Sequence, residues 1–122
     1  MGAKVLVVDD SRAIRQQVGS ALAQAGYDIL EAEDGLQGLN TIGAQRDISI
    51  VICDVNMPNM NGLEMLAKVK ADPSNATLPV LMLTTEGKAD LIQQAKRSGA
   101  KGWIVKPFKV DQLVAAVRKI VG

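Results

Sequence analysis

The sequence predicts an α/β fold: a single, open, doubly wound five-stranded parallel sheet. Three observations carry that prediction. Five short apolar, β-branched runs recur along the chain, and each is followed by a stretch with apolar residues at three- and four-residue steps. Strict alternation of buried strands with amphipathic helices gives a parallel sheet covered on both faces through right-handed crossovers. A barrel needs eight such units, so five leave the sheet open. The 122 residues fit one domain, 1–122, which can bury on the order of two thirds of the surface its unfolded form would expose. A strand order of 2-1-3-4-5 is adopted from the precedent of flavodoxin-like doubly wound proteins.

The first run, Lys4 to Val8, reads KVLVV and ends in Asp9, Asp10 and Ser11. Residues 12 to 25 place Ile14, Val18, Ala21, Leu22 and Ala25 on one helical stripe, which Gly26 closes. Tyr27 to Ala32 is the second strand, and Asp34 caps a helix whose buried face carries Leu36, Leu39 and Ile42. Gly38 and Gly43 weaken that helix. Ile48, Ile50, Val51 and Ile52 belong to a third strand buried on both faces, which emerges at Asp54 into the loop VNMPNMNG. A helix from Gly62 to Ala71 turns Leu63, Leu66 and Val69 inward until Asp72 and Pro73 stop it. After the polar loop SNAT, Pro79 to Leu83 forms the fourth strand and ends in Thr84 and Thr85. Helix four runs from about Lys88 to Ser98 on Leu91, Ile92 and Ala95, with Gly99 as its stop. Gly102 to Val105 is the fifth strand, ending in Lys106 and Pro107, and Val110 to Val121 is a final helix built on Leu113, Val114, Val117 and Ile120.

Composition excludes several function classes. Fourteen basic and thirteen acidic residues leave a net charge of +1, and the aromatics are Tyr27, Trp103 and Phe108, so the chain has no nucleic-acid footprint. Cys53 has no partner for an internal disulfide and reads as a small buried hydrophobe. With no leader and no apolar run of about 18 residues, no membrane contact is expected and the cytoplasm is the expected location.

In a parallel sheet the carboxyl ends of all strands point one way, so Asp9, Asp10, Asp54, Thr84 and Lys106 share the edge where open α/β sheets place ligands. Three crowded carboxylates raise the pKa of at least one unless a cation intervenes, and an all-oxygen site suits hard Mg2+. A lysine and a hydroxyl beside them stabilise charge on a phosphoryl group, and Asp54 can act as the nucleophile that forms an acyl phosphate. Singly, each residue has a plainer reading. Asp54 can open a turn, Asp10 or Ser11 can cap the first helix, Thr84 can be a β-branched strand residue and Lys106 a solvated charge. Their joint appearance at four equivalent strand ends favours the functional reading.

From the Asp9 and Asp10 pair through DVNMPNMNG to Thr84 and the KPF of residues 106 to 108, the whole chain resembles a response-regulator receiver domain. Within that family it is most similar to the stand-alone chemotaxis regulators. The resemblance implies that Asp54 is the phosphoacceptor. It implies that Asp10 and Asp54 ligate Mg2+ together with the backbone carbonyl of Asn56, while Asp9 helps through water. Lys106 then binds the phosphate, Thr84 is the switch hydroxyl, and the Lys106–Pro107 peptide is cis. Trp103 stands where relatives carry a Tyr or Phe that swings inward as Thr84 moves. Asn56 and Glu86 tune the lifetime of the acyl phosphate, and Asn61, where many relatives have Asp, affects turn geometry more than chemistry. Helix four, strand five and helix five form the readout face, with Ile92, Lys101 and Trp103. The basic residues Lys88, Lys96, Arg97, Lys101, Lys109, Arg118 and Lys119 suit an acidic partner segment.

The function so implied is a phosphorylation-activated switch, not an enzyme beyond catalysing its own phosphorylation and dephosphorylation. A sensor histidine kinase donates the phosphate, and a target, the flagellar motor switch protein or another, binds the altered face. A phosphatase is a further partner, and the chain is expected to be a monomer. Because it ends at Gly122 with no output domain, it is expected to act by protein contact. The alternative is a relay shuttle that passes phosphate to a histidine phosphotransfer protein. A flavin carrier would need a hydroxyl- and Gly-rich loop where Asp9 and Asp10 instead repel the FMN phosphate. An aspartyl phosphatase would need a general acid two residues after its nucleophile, where this chain has Asn56.

Overall fold

A computed structural model describes residues 2–57, 59–85 and 89–121. Its elements are β1 (Lys4–Val8), α1 (Arg12–Gln24), β2 (Asp28–Ala32), α2 (Gly35–Ala44), β3 (Ile48–Asp54), α3 (Gly62–Ala71), β4 (Val80–Thr84), α4 (Ala89–Arg97), β5 (Gly102–Val105) and α5 (Val110–Val121). The sheet has five strands in the order β2-β1-β3-β4-β5, and every neighbouring pair is parallel. Register aligns Val8 with Cys53, Asp54 with Leu83, and Thr84 with Val105, which brings the carboxyl ends of four strands to one rim.

Alternation along the strands sorts side chains onto two faces. Val5, Val7, Ile50, Ile52, Leu81 and Leu83 form one core with Val18 and Leu22 of α1 and Leu113 and Val117 of α5. Leu6, Val8, Val51, Cys53, Val80 and Met82 form the other, with Ile42 of α2, Leu66 and Val69 of α3, and Ala95 of α4. Each fully buried aliphatic side chain contributes roughly 1.5–3 kcal/mol. Among the described residues no helix is long and apolar enough to cross a membrane.

Element types agree with expectation, and the differences have local causes. Pro79 stays outside β4, where it can offer only its carbonyl; this accepts from the Val51 N–H at 3.0 Å. A 3-10 turn, Pro73–Asn75, begins the loop after α3, and the Asp72 carboxylate accepts from the Ser74 N–H at 3.0 Å. Lys88, the expected start of helix four, lies outside the described residues. Gly26 and Gly99 stop α1 and α4 with φ of +100° at both.

Leu36 is corrected: it is 54% exposed, because the inward stripe of α2 runs instead through Gly35, Gly38 and Ile42. A Cβ on Gly38 would sit 2.8 Å from the Met65 methyl and 3.1 Å from Val8 Cγ2, so the glycine lets α2 lie close against its neighbours. In α3, Met65 is fully buried with its sulfur 3.6 Å from Cys53 Sγ, while Leu63 is only half-buried. The approach of α3 to β3 is closer still. The Gly62 N–H donates to the Val55 carbonyl at 2.8 Å, and a Cβ there would overlap the Asp54 carbonyl oxygen. Gly62→Ala is therefore expected to lower stability by about 1–3 kcal/mol, read as a shift of the urea midpoint at unchanged slope.

Candidate functional site

At the rim, Asp9, Asp54 and Thr84 are buried, each 4% exposed or less, whereas Asp10 is exposed. Lys106, the residue after β5, reaches back so that its Nζ donates to Asp9 Oδ2 and to Asp54 Oδ1, both at 3.1 Å. Asp9 Oδ1 accepts from the Ser11 N–H at 2.9 Å, so both oxygens of Asp9 are engaged by protein donors. One carboxylate oxygen from each of Asp9, Asp10 and Asp54 lies within 4.8 Å of the others. The Lys106–Pro107 peptide is cis, as the resemblance implied.

Electrostatics at the site follow from that crowding. Burial, and then the charge of Asp9, push the Asp54 carboxyl above its ordinary range, even though Lys106 pulls it down. Burial alone would lower Lys106, but hydrogen bonding and charge from Asp9, and then Asp54, outweigh it and hold the ammonium above its usual range. The one ammonium gains from both Asp9 and Asp54, while Asp54 still faces the charges of Asp9 and Asp10. Three carboxylates and one ammonium leave two formal negative charges, which a divalent cation balances. The donor set is all oxygen, and it fits a hard ion such as Mg2+. Cys53 is inert: burial first, then the charges of Asp54 and Asp9, push its thiol up.

Supporting residues are tied to the same rim. The Lys106 N–H donates to the Thr84 carbonyl at 2.6 Å, joining the end of β4 to the lysine. Ser11, and not Asp10, caps α1, its Oγ accepting from the Ile14 N–H at 3.3 Å. Asn61 caps α3 in a reciprocal box: its Oδ1 accepts from the Glu64 N–H at 2.9 Å and its own N–H donates to Glu64 Oε1 at 3.1 Å. Asn59, at φ +66°, donates through Nδ2 to Asp34 Oδ2 at 3.1 Å. Asp34 caps α2 through its other oxygen, so the loop after Asp54 is anchored to the start of α2.

Asn56 is exposed in that loop, and Glu86 lies outside the described residues. Trp103 pairs in register with Met82 and packs half-buried against the core that carries Ala95; its buried indole Nε1 has no hydrogen-bond partner among the described residues. Ile92 is half-buried and Lys101 exposed. The sequence reading missed Arg15, a buried arginine on α1 whose Nη1 donates to the Asp9 carbonyl. Its one signal was its place on the helical stripe of Val18 and Leu22, where a charged residue stands at an inward position.

The family described as the response regulator receiver domain matches residues 5–118. The chain is 41% identical over 121 residues to the chemotaxis protein CheY1 of Helicobacter pylori, covering 98% of this chain and 97% of that one. It is 40% identical over 121 residues to a CheY homolog of Campylobacter jejuni, covering 98% and 92%. The structure of Vibrio cholerae CheY4 matches with a TM-score of 0.92 at 41% identity, covering 98% of this chain and 99% of that one. Family match, sheet order and the acidic rim coincide along one chain, which belongs to the response-regulator receiver domains as a CheY-like member.

Proposed function

We propose that this protein is a phosphorylation-activated signalling switch in which Asp54 accepts phosphate from a sensor histidine kinase. The single observation that carries the reading is the Lys106 ammonium, 3.1 Å from both Asp9 and Asp54, inside a cluster of three carboxylates. In the transfer, an Asp54 carboxylate oxygen attacks the phosphorus of a phosphohistidine. The P–N bond breaks, and the imidazole nitrogen leaves with its electron pair. Lys106 supplies positive charge where the incoming oxygens gather. Asp10 and Asp54, with the Asn56 carbonyl, would hold Mg2+, and Asp9, whose oxygens are already engaged, would help through water. Bound Mg2+ supplies a hard cation that neutralises phosphoryl oxygens. Asn56 and Glu86 set how long the acyl phosphate survives.

The acyl phosphate adds roughly two negative charges and three acceptor oxygens. These draw the Thr84 hydroxyl and Lys106 inward, and the Thr84–Lys106 backbone bond carries the shift toward β5 and Trp103. The face of α4, β5 and α5, with Ile92, Lys101 and Trp103, is then the readout surface. Its similarity to chemotaxis proteins makes the flagellar motor switch protein the proposed target. The testing experiment has two stages. Incubation with Mg2+ and a small acyl phosphate should add one phosphoryl group, which peptide mapping places on Asp54. The phosphorylated form should then bind a motor-switch segment more tightly than the unmodified protein. Onward transfer to a phosphotransfer histidine without such binding would replace the motor reading with that of a relay shuttle.

A further inference from the structure

We infer that Arg15 is a positioning residue for the acidic site: its guanidinium, braced by Glu31, fixes the peptide between Asp9 and Asp10 and thereby aims the Asp10 carboxylate. This rests on the reading that Asp10 and Asp54, helped by Asp9, would hold Mg2+. Arg15 is 8% exposed, and among the described residues no other lysine or arginine is buried. A buried guanidinium is unfavourable unless it is paired, so its partners are informative. Its Nε donates to Glu31 Oε1 at 3.1 Å and its Nη1 to the Asp9 carbonyl at 2.5 Å.

That carbonyl lies one residue past the end of β1. The Asp9 N–H still reaches the Ala32 carbonyl at 3.1 Å, so the amide before Asp9 is held by the sheet and the carbonyl after it by α1. A peptide unit is planar, so the direction of the Asp9 carbonyl also sets the Asp10 N–H and the point from which the exposed Asp10 side chain departs. Arginine suits the task because its planar fork donates in two directions at once, whereas a lysine ammonium is a single point charge. Outer-shell partners of this kind commonly change metal affinity by about 10–100-fold.

The sign of the effect separates positioning from charge. Removing a cation near an acidic site should, on charge alone, strengthen binding of a divalent ion. The proposal predicts the opposite for Arg15→Gln: Mg2+ binding weaker by about tenfold in titration calorimetry. Arg12→Gln, which removes an exposed charge from the first turn of the same helix, should bind Mg2+ at least as tightly as the parent. At saturating Mg2+, Arg15→Gln should recover the parent's extent of labelling by a small acyl phosphate. Should Arg15→Gln fail to fold, Arg15→Lys keeps the charge, loses the two-way span, and is expected to show the same weakening to a smaller degree. A folded Arg15 variant that binds Mg2+ as tightly as the parent would overturn the positioning role and leave the metal site standing. A parent that binds no Mg2+ would overturn both.

Discussion

Replacing Asp54 with asparagine is expected to abolish phosphoryl incorporation and, in the same molecule, to raise stability at neutral pH. Loss of the nucleophile should reduce labelling by a small acyl phosphate on the order of a thousandfold or more. The stability gain comes from the crowding. Asp54 is buried beside Asp9, and its folded-state pKa lies above its ordinary 3.8, so the ionised carboxylate opposes folding at pH 7. Asparagine keeps the shape and removes the charge, while Lys106 retains Asp9 at 3.1 Å. A gain of about 0.5–2 kcal/mol is expected, read from urea midpoints in metal-free buffer. For a carboxyl with a raised pKa, the parent regains stability as pH falls through the folded-state value toward 3.8, so the two proteins should converge in that window. Equal labelling of both proteins would refute Asp54 as nucleophile; a variant less stable than the parent at pH 7 would refute the crowding.

Much of this was legible in the sequence because strand direction does the gathering. Once five buried runs alternate with helical stripes, a parallel sheet puts every strand's final residue on one rim, and Asp9, Asp54, Thr84 and Lys106 follow without side-chain detail. Periodicity failed where the inward residue is not apolar. The inner stripe of α2 runs through Gly35 and Gly38, the second of which pattern reading takes as a helix weakener, so Leu36 is expected inside although it is exposed. Arg15 fails the same test from the other side, since a buried guanidinium becomes visible only when Glu31 and the Asp9 carbonyl are known to face it. The anchoring of Asn59 to Asp34 joins residues 25 apart, and no local pattern encodes such a pairing. Asn61 was legible in part: its place in the loop suggested a role in turn geometry, and the structure shows a helix cap.

Lys106→Met should be the most destabilising single change at the rim, and one that Mg2+ selectively repairs. Methionine fills the space of the lysine stem but leaves Asp9 and Asp54 without the ammonium that bridges them, with side chains only 1% and 6% exposed. Removing one partner of a buried ion pair costs about 3–5 kcal/mol, chiefly because the charges left behind are uncompensated. In metal-free buffer at pH 7 the variant should lose stability of that order. Mg2+ bound to the folded acidic cluster would stabilise it, and with one positive charge fewer the variant should bind the ion more tightly than the parent. Its gain in stability at a given Mg2+ concentration should therefore exceed the parent's. The alkaline limb gives an independent check. Lys106 is raised above its ordinary 10.5, so its contribution is fully present below that pH and is lost as pH rises through the folded-state value. Parent and variant should converge there and nowhere in the neutral range. A metal-free variant as stable as the parent at pH 7 would mean that the two 3.1 Å contacts do not hold the rim together, and the positive charge assigned to Lys106 in phosphoryl transfer would lose its structural basis.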